Sequence, residues 1–208
     1  MRSTLPRVVV PRILEAPGWE GVPPITPFLL ADGSGPARQQ TVARICHDGL
    51  ALHARFDCDD RDIRGTYSRR DDPIHEEEAV ELFLAPGEED PTHYFEFEVS
   101  PRGVLLDARV HNPSSRREDM EVDVKWSCPG IEWRAGADAA ARHWWAEVVI
   151  PWSSVAPAGP LPAIWRANLY RIERPRGGPS EFSGWSATLT DPPDFHKPAF
   201  FGYLEVRF

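Results

Sequence analysis

Cysteine, methionine and positive charge are all scarce in this chain of 208 residues, which has three Cys, two Met and 23 Lys and Arg against 32 Asp and Glu. Each scarcity removes a class of function. Cys46, Cys58 and Cys128 have no metal-type spacing and allow at most one bridge, so a disulfide framework and a zinc site are excluded and buried free thiols are expected. A net charge of −9 without any basic stripe excludes a nucleic-acid backbone as partner, because phosphate binding depends on clustered cations that release counterions. Long apolar runs are missing too. Val8-Val9-Val10 is followed at once by Pro11 and Arg12, too short for the apolar segment of a signal peptide, and no stretch approaches membrane-spanning length. The expectation is no membrane partner and a cytoplasmic protein as written, or a secreted one if an upstream signal has been removed. Oligomeric state is left open.

What is abundant is proline, glycine and large aromatics: 22 Pro, 15 Gly, eight Trp and ten Phe. Residues 1–36 read as an extended Pro/Gly-rich arm with Trp19 and Phe28 as anchors, because proline blocks helix and confines strand to edges. Regular alternation starts at Gln40. Thr41 to Cys46, the turn His47-Asp48-Gly49 and Leu50 to Asp57 form a hairpin signal with Leu52, Ala54 and Phe56 toward the core. Further short strands follow, punctuated by Gly and Pro, with no amphipathic helix among them. Residues 1–208 are therefore expected to form one all-β domain, an antiparallel β-sandwich of jelly-roll type.

The stretch from Glu76 to Val99 carries the clearest functional signal. In Tyr94-Phe95-Glu96-Phe97-Glu98-Val99 the apolar Phe95, Phe97 and Val99 alternate with Tyr94, Glu96 and Glu98. In Val80-Glu81-Leu82-Phe83-Leu84 the same parity turns Glu81 away from the core. Adjacent strands would then present Glu81, Glu96 and Glu98 from one surface, an unfavourable set of like charges that invites a partner. Leu106, Ala108 and Val110 read as the core side of the next strand, which adds Asp107 and Arg109 to the polar face. The run Asp57, Asp59, Asp60 and Asp62 is a candidate calcium site, since hard cations take several carboxylate oxygens. It has interleaved arginines and lacks the glycine and terminal Glu of an EF-hand loop.

Five blocks stand in a familiar order: Glu78 to Phe83, Tyr94 to Val99, Trp145 to Trp152, Trp165 to Arg171, and Phe195-His196-Lys197-Pro198 with Phe201-Gly202-Tyr203-Leu204. Together they resemble the family 9 carbohydrate-binding modules and their relatives in the DOMON-like group, over about Val42 to Phe208. The resemblance implies a β-sandwich that binds a saccharide, or a similar polyhydroxylated compound, without transforming it. Some DOMON-like relatives bind haem instead. In the sugar-binding prototype two tryptophans clamp the saccharide; His75 and Phe195 stand at those positions here, and Glu81 matches a polar sugar contact.

Saccharide recognition needs carboxylates and guanidinium or amide groups for the hydroxyls and a flat apolar surface for the C–H face. Glu81, Glu98, Arg109 and either Asn168 or Arg171 supply the first, the last two having opposite parity on one strand; Phe195, Trp185 and His75 supply the second. No cofactor is required on this reading, and calcium is the one that the acidic run admits. Two alternatives are a glycosidase that pairs carboxylates among Glu81, Glu96, Glu98 and Asp107, and a haem domain with Met120 as the available thioether ligand.

Overall fold

The computed structural model describes residues 4–14, 18–156 and 158–208. Among these, chain order gives β1 (Arg7–Val10), β2 (Leu29–Leu30), β3 (Thr41–His47), β4 (Ala51–Asp59), β5 (Ala79–Pro86), β6 (His93–Val99) and β7 (Leu105–His111). Then come β8 (Glu121–Asp123), β9 (Glu132–Asp138), β10 (His143–Pro151), the short helix α1 (Trp152–Val155), β11 (Ile164–Glu173), β12 (Glu181–Gly184) and β13 (Gly202–Val206). No helix among the described residues is long and apolar enough to cross a membrane.

The strands form two sheets that share a core. The larger runs β1-β13-β11-β5-β6-β7-β8, with β12 beside the second half of β11 and β2 beside β12; the smaller runs β3-β4-β10-β9. Every strand pairing is antiparallel except that of β1 with β13, so the expected antiparallel sandwich gains one parallel edge. The arm explains that edge. After β1 it crosses to the smaller sheet, where Ile13 N–H donates to His47 O at 2.8 Å and His47 N–H to Pro11 O at 3.0 Å. Ile25 and Ala43 then exchange backbone bonds of 2.7 and 3.1 Å. The otherwise open edge of β3 is thereby closed, which removes a template for pairing with another chain.

Alternation places the core. Val80, Leu82 and Leu84 of β5 and Phe97 and Val99 of β6 face Leu52, Ala54 and Phe56 of β4 and Ala146, Val148 and Ile150 of β10. Trp144, Trp152 and Trp165 are buried with them, the last two with ring centroids 4.8 Å apart. The turn between β3 and β4 is held by Asp48, whose Oδ1 accepts from the N–H groups of Leu50 and Ala51 at 2.7 and 2.8 Å, and Gly49 sits at φ 98°. Cys46, Cys58 and Cys128 are free and buried.

The larger sheet is also covered on its outer face. Residues 185–201 return across it, so that Phe195 and Phe201 pack on Phe83, Tyr94 and Tyr170 in a second apolar cluster. Asn168 anchors the start of this return, donating to Ser186 O at 2.8 Å and accepting from Ser186 N–H at 3.0 Å. Arg166 anchors its end through Phe201 O at 2.8 Å and Pro198 O at 3.2 Å. Gly202 is required where the return re-enters the sheet: a Cβ there would lie 2.6 Å from the Trp185 ring and 2.7 Å from Pro6 O.

One end of the space between the sheets is charged. Arg171 donates to Asp60 Oδ2 at 3.0 Å and Asp59 O at 2.8 Å, pairs with Glu173, and lies 5.5 Å from the Trp144 ring centroid. Glu78 completes the group, taking the Arg64 N–H at 2.9 Å and leaving its Oε1 without a partner. The four aspartates read as a calcium site do not converge. Asp57 is held by Arg44 and Arg55, Asp62 by Arg176 and Asp60 by Arg171, while Asp59 is exposed. The interleaved arginines, placed on different surfaces by strand parity, neutralise three of them one at a time.

Two outcomes follow. Burial first, then the Glu173 and Asp60 charges, push Glu78 up to about 9 against the pull of the Arg64 N–H, and burial pushes Glu173 up to about 7 despite Arg171. The unfolded chain releases these protons near the ordinary carboxylate value of about 4.3. The folded state therefore holds more protons above that value, and its stability falls as pH rises from about 5 toward about 9. Glu78→Gln is expected to flatten the alkaline part of that fall, read as a higher urea midpoint than the parent at about pH 8 and little difference at about pH 5. Gly202→Ala is expected to cost about 1–3 kcal/mol by overpacking against Trp185 and the Pro6 carbonyl, seen as a lower Tm.

Candidate functional site

The pairing of β5 with β6 sets Glu81 opposite Glu98 and Phe83 opposite Glu96. Since Leu82 and Phe97 face the other sheet, these three glutamates emerge together on the outer face. There they line a cavity of about 510 Å³. Leu106 of β7 and Ile172 of β11 extend its floor, and its walls include His75, Arg117, Met120, Phe182, Phe195 and His196. The walls are tied to one another. Arg117 pairs with Asp194 at 2.9 Å, Lys197 donates to Ser115 O at 2.7 Å and Asn112 donates to His196 O at 3.0 Å.

The floor is acidic and buried. One carboxylate oxygen from each of Glu81, Glu96 and Glu98 lies within 4.8 Å of the other two, and none of the three residues is more than 6% exposed. Two full charges at about that spacing repel by on the order of 3 kcal/mol at an effective dielectric of about 20. Burial, and next the Glu98 charge, accordingly hold the Glu81 and Glu96 carboxyls well above the usual carboxylate range, with Arg117 acting weakly in the other direction. His75, half-exposed at the mouth, has Nδ1 3.6 Å from Glu98 Oε1, and that carboxylate raises its pKa. His196 behaves oppositely. Burial, and then Arg117, press it down to about 3, and its neutral ring meets Tyr94 Oη at 2.8 Å.

Of the residues expected at a binding site, His75, Glu81, Glu98 and Phe195 converge here, and Arg109, Arg171 and Trp185 do not. Arg109 lies opposite Phe95, and Asp107 opposite Phe97, so both are on the side of β7 that faces the other sheet. The apolar triplet Leu106, Ala108 and Val110 faces outward instead: Leu106 floors the cavity and Val110 joins the outer apolar cluster. Hydrophobicity alone could not distinguish that face from the core. Arg109 pairs with Asp123 at 2.8 Å, and Asp107 is held by Arg70 at 2.6 Å. Arg171 is in the charged end of the core, and Trp185 is packed in the main core with its ring against Gly202.

Phe195 stands in the wall, but one ring face is stacked on Tyr170 at 4.1 Å between centroids and 9° between planes, and Tyr170 Oη donates to Phe195 O at 3.0 Å. Glu96, although its parity was legible, gains its place in the site from register. Arg117, Arg174, Phe182 and His196 carried no sequence signal of their own, because they arrive from loops or strand ends. Met120 also lines the cavity, where its sulfur is 3.9 Å from Tyr94 Oη.

The family model of carbohydrate-binding family 9 matches residues 35–206. A protein of the fungus Arthroderma benhamiae named as an extracellular protein is 31% identical over 173 residues, covering 78% of this chain and 76% of its own. Among solved structures, a Bacteroides uniformis protein inferred to bind carbohydrate is similar with a TM-score of 0.74 and 21% identity, over 98% of this chain and 100% of that one. A family 9 module from Caldicellulosiruptor kristjanssonii in complex with cellotriose gives a TM-score of 0.65 at 13% identity, over 97% of this chain and 94% of that one. The glucose complex of a module of the same family and organism gives 0.62 at 12%, over 97% and 96%. With a family match that takes in all of both sheets but the short strands β1 and β2, the chain belongs to carbohydrate-binding family 9.

Proposed function

We propose that the cleft between His75 and Phe195 binds a saccharide without transforming it. The observation that carries this reading is a set of buried, underused carboxylates at the bottom of a cavity whose lining mixes apolar and polar side chains. Its volume of about 510 Å³ is within the range of about 300–1,000 Å³ usual for small-molecule sites. Sugar hydroxyls donate to carboxylates, and a protonated carboxyl can donate in return, so a mixed-protonation triad suits a ring that carries both kinds of group. Leu106, Ile172 and the free part of Phe195 offer surface for the C–H face. With Phe195 half covered by Tyr170, the grip depends on the carboxylates more than on stacking. Glucose and cellotriose, bound by family members of the same fold, are the first ligands to try.

Binding without hydrolysis is favoured by where the carboxylates stand. A glycosidase flanks the scissile bond with two carboxyl groups about 5–10 Å apart. Here three oxygens lie within 4.8 Å on adjacent strands of one sheet face. The same acidic floor disfavours haem, whose two propionates would add a fourth and a fifth acidic group to the three glutamates. The similarity to a fungal protein named as extracellular favours a secreted place of action over the cytoplasm.

Calorimetric titration with glucose and short cello-oligosaccharides tests the reading. Saturable binding is expected, and Glu81→Gln is expected to weaken it about three- to tenfold, the loss of roughly 0.5–1.5 kcal/mol that a hydrogen bond between uncharged groups supplies. Silence toward a broad panel of mono- and oligosaccharides, in parent and variant alike, would sink it.

A further inference from the structure

The acidic floor differs in its partners from the buried carboxylates that arginine side chains hold. Asp60 and Glu173 hold Arg171, Asp107 holds Arg70, and Glu147 holds Arg55 and Arg134. Among the described residues, no Lys or Arg side chain comes within ion-pair distance of Glu81, Glu96 or Glu98; the one ionic neighbour is His75, at 3.6 Å from Glu98. Glu98 is only 2% exposed, and its Oε2 has no hydrogen-bond partner. A buried carboxylate oxygen left unpaired costs its full desolvation, and this one, unlike those of Glu78 and Glu173, lines an open cavity from which a partner can reach it.

We propose that Glu81, Glu96 and Glu98 hold one divalent cation of the Ca²⁺ or Mn²⁺ class at the floor of the cleft. The three oxygens lie within 4.8 Å of one another. Two oxygens bound to one such ion at about 2.3–2.6 Å are at most about 5 Å apart, so one ion reaches all three. An all-oxygen donor set selects hard cations over zinc or copper, which favour nitrogen and sulfur. Two adjacent strands supply the ligands, which gives the site a rigid base, and Leu106 and Ile172 beside it keep the local dielectric low. The ion's other coordination positions face the cavity, where water or the oxygens of a ligand complete the shell. This site lies on the opposite side of the larger sheet from Asp60, Glu78 and Glu173, a second acidic group whose centre Arg171 already occupies. The proposal does not require a saccharide to bind.

The test is titration of chelator-stripped full-length protein with CaCl₂ and with MnCl₂, followed by calorimetry, by the Mn²⁺ paramagnetic resonance signal and by thermal unfolding. One ion per chain is expected, together with a higher Tm in either metal than in chelator, since a ligand that binds only the folded state stabilises it. Glu81→Gln, Glu96→Gln and Glu98→Gln are each expected to weaken uptake at least about tenfold, and Glu78→Gln to leave it unchanged. Each variant takes one ionisable group out of a crowded, buried triad, so these variants are expected to fold with a Tm in chelator at or above that of the parent. The metal-dependent Tm rise of the parent is a readout independent of them. No uptake at millimolar Ca²⁺ or Mn²⁺, undiminished uptake in all three triad variants, or loss in Glu78→Gln instead overturns the assignment. Metal uptake without saccharide binding leaves this site standing and removes the proposed function; saccharide binding without metal uptake does the reverse.

Discussion

Leu82 and Phe97 lie opposite each other on the inner side of the larger sheet, and their burial against the smaller sheet fixes everything on the other side. A slip of one residue in either strand would turn its member of the pair away from the smaller sheet and send a glutamate into the core. The apolar interior thus dictates that Glu81 and Glu98 stand side by side, with Glu96 two residues along. Hydrophobic burial is strong and non-directional, and here it overrides a local electrostatic penalty that the strands would otherwise avoid. The penalty is then expressed as proton uptake by the carboxyls and as an unpartnered oxygen.

Charge elsewhere is handled differently. Asp60, Asp107 and Glu173 in the inter-sheet space and Glu147 on the smaller sheet's outer face are each met by arginine, whose planar fork can satisfy two oxygens at once. Arg171 alone serves Asp60, Glu173 and a backbone carbonyl. This contrast within a single molecule separates charge that holds the fold together from charge that the fold leaves available. Only the second kind opens onto a cavity.

The larger sheet is buried on both faces, which is uncommon for an antiparallel sheet, and the return of residues 185–201 is the cause. That return carries Phe195 and His196 to the cleft while Arg166 and Asn168, from the same face of β11, pin its two ends. Polar residues on the outer face of β11 thereby position a wall and do not contact the space themselves. The arm does the equivalent for the smaller sheet at the edge of β3.

The sequence by itself determined the sandwich, the hairpin of β3 and β4, and the shared face of Glu81, Glu96 and Glu98, because alternation with a period of two is a local property wherever one side is clearly apolar. It also brought out the resemblance that pointed to His75 and Phe195. Tertiary structure decided the rest. The facing of β7 was ambiguous, since Leu106, Ala108 and Val110 are as apolar as a core strand and only the register with β6 shows that they line the cleft and the outer cluster. Trp185 looked like a surface ring between Gly184 and Ser186, yet the close approach of Gly202 draws it into the core. Arg117, Arg174 and His196 reach the site from segments distant in sequence, and the aspartates of residues 57–62 disperse because three of them meet arginines on different surfaces. Partners of that kind are set by packing between remote parts of the chain, on which a local pattern carries no information.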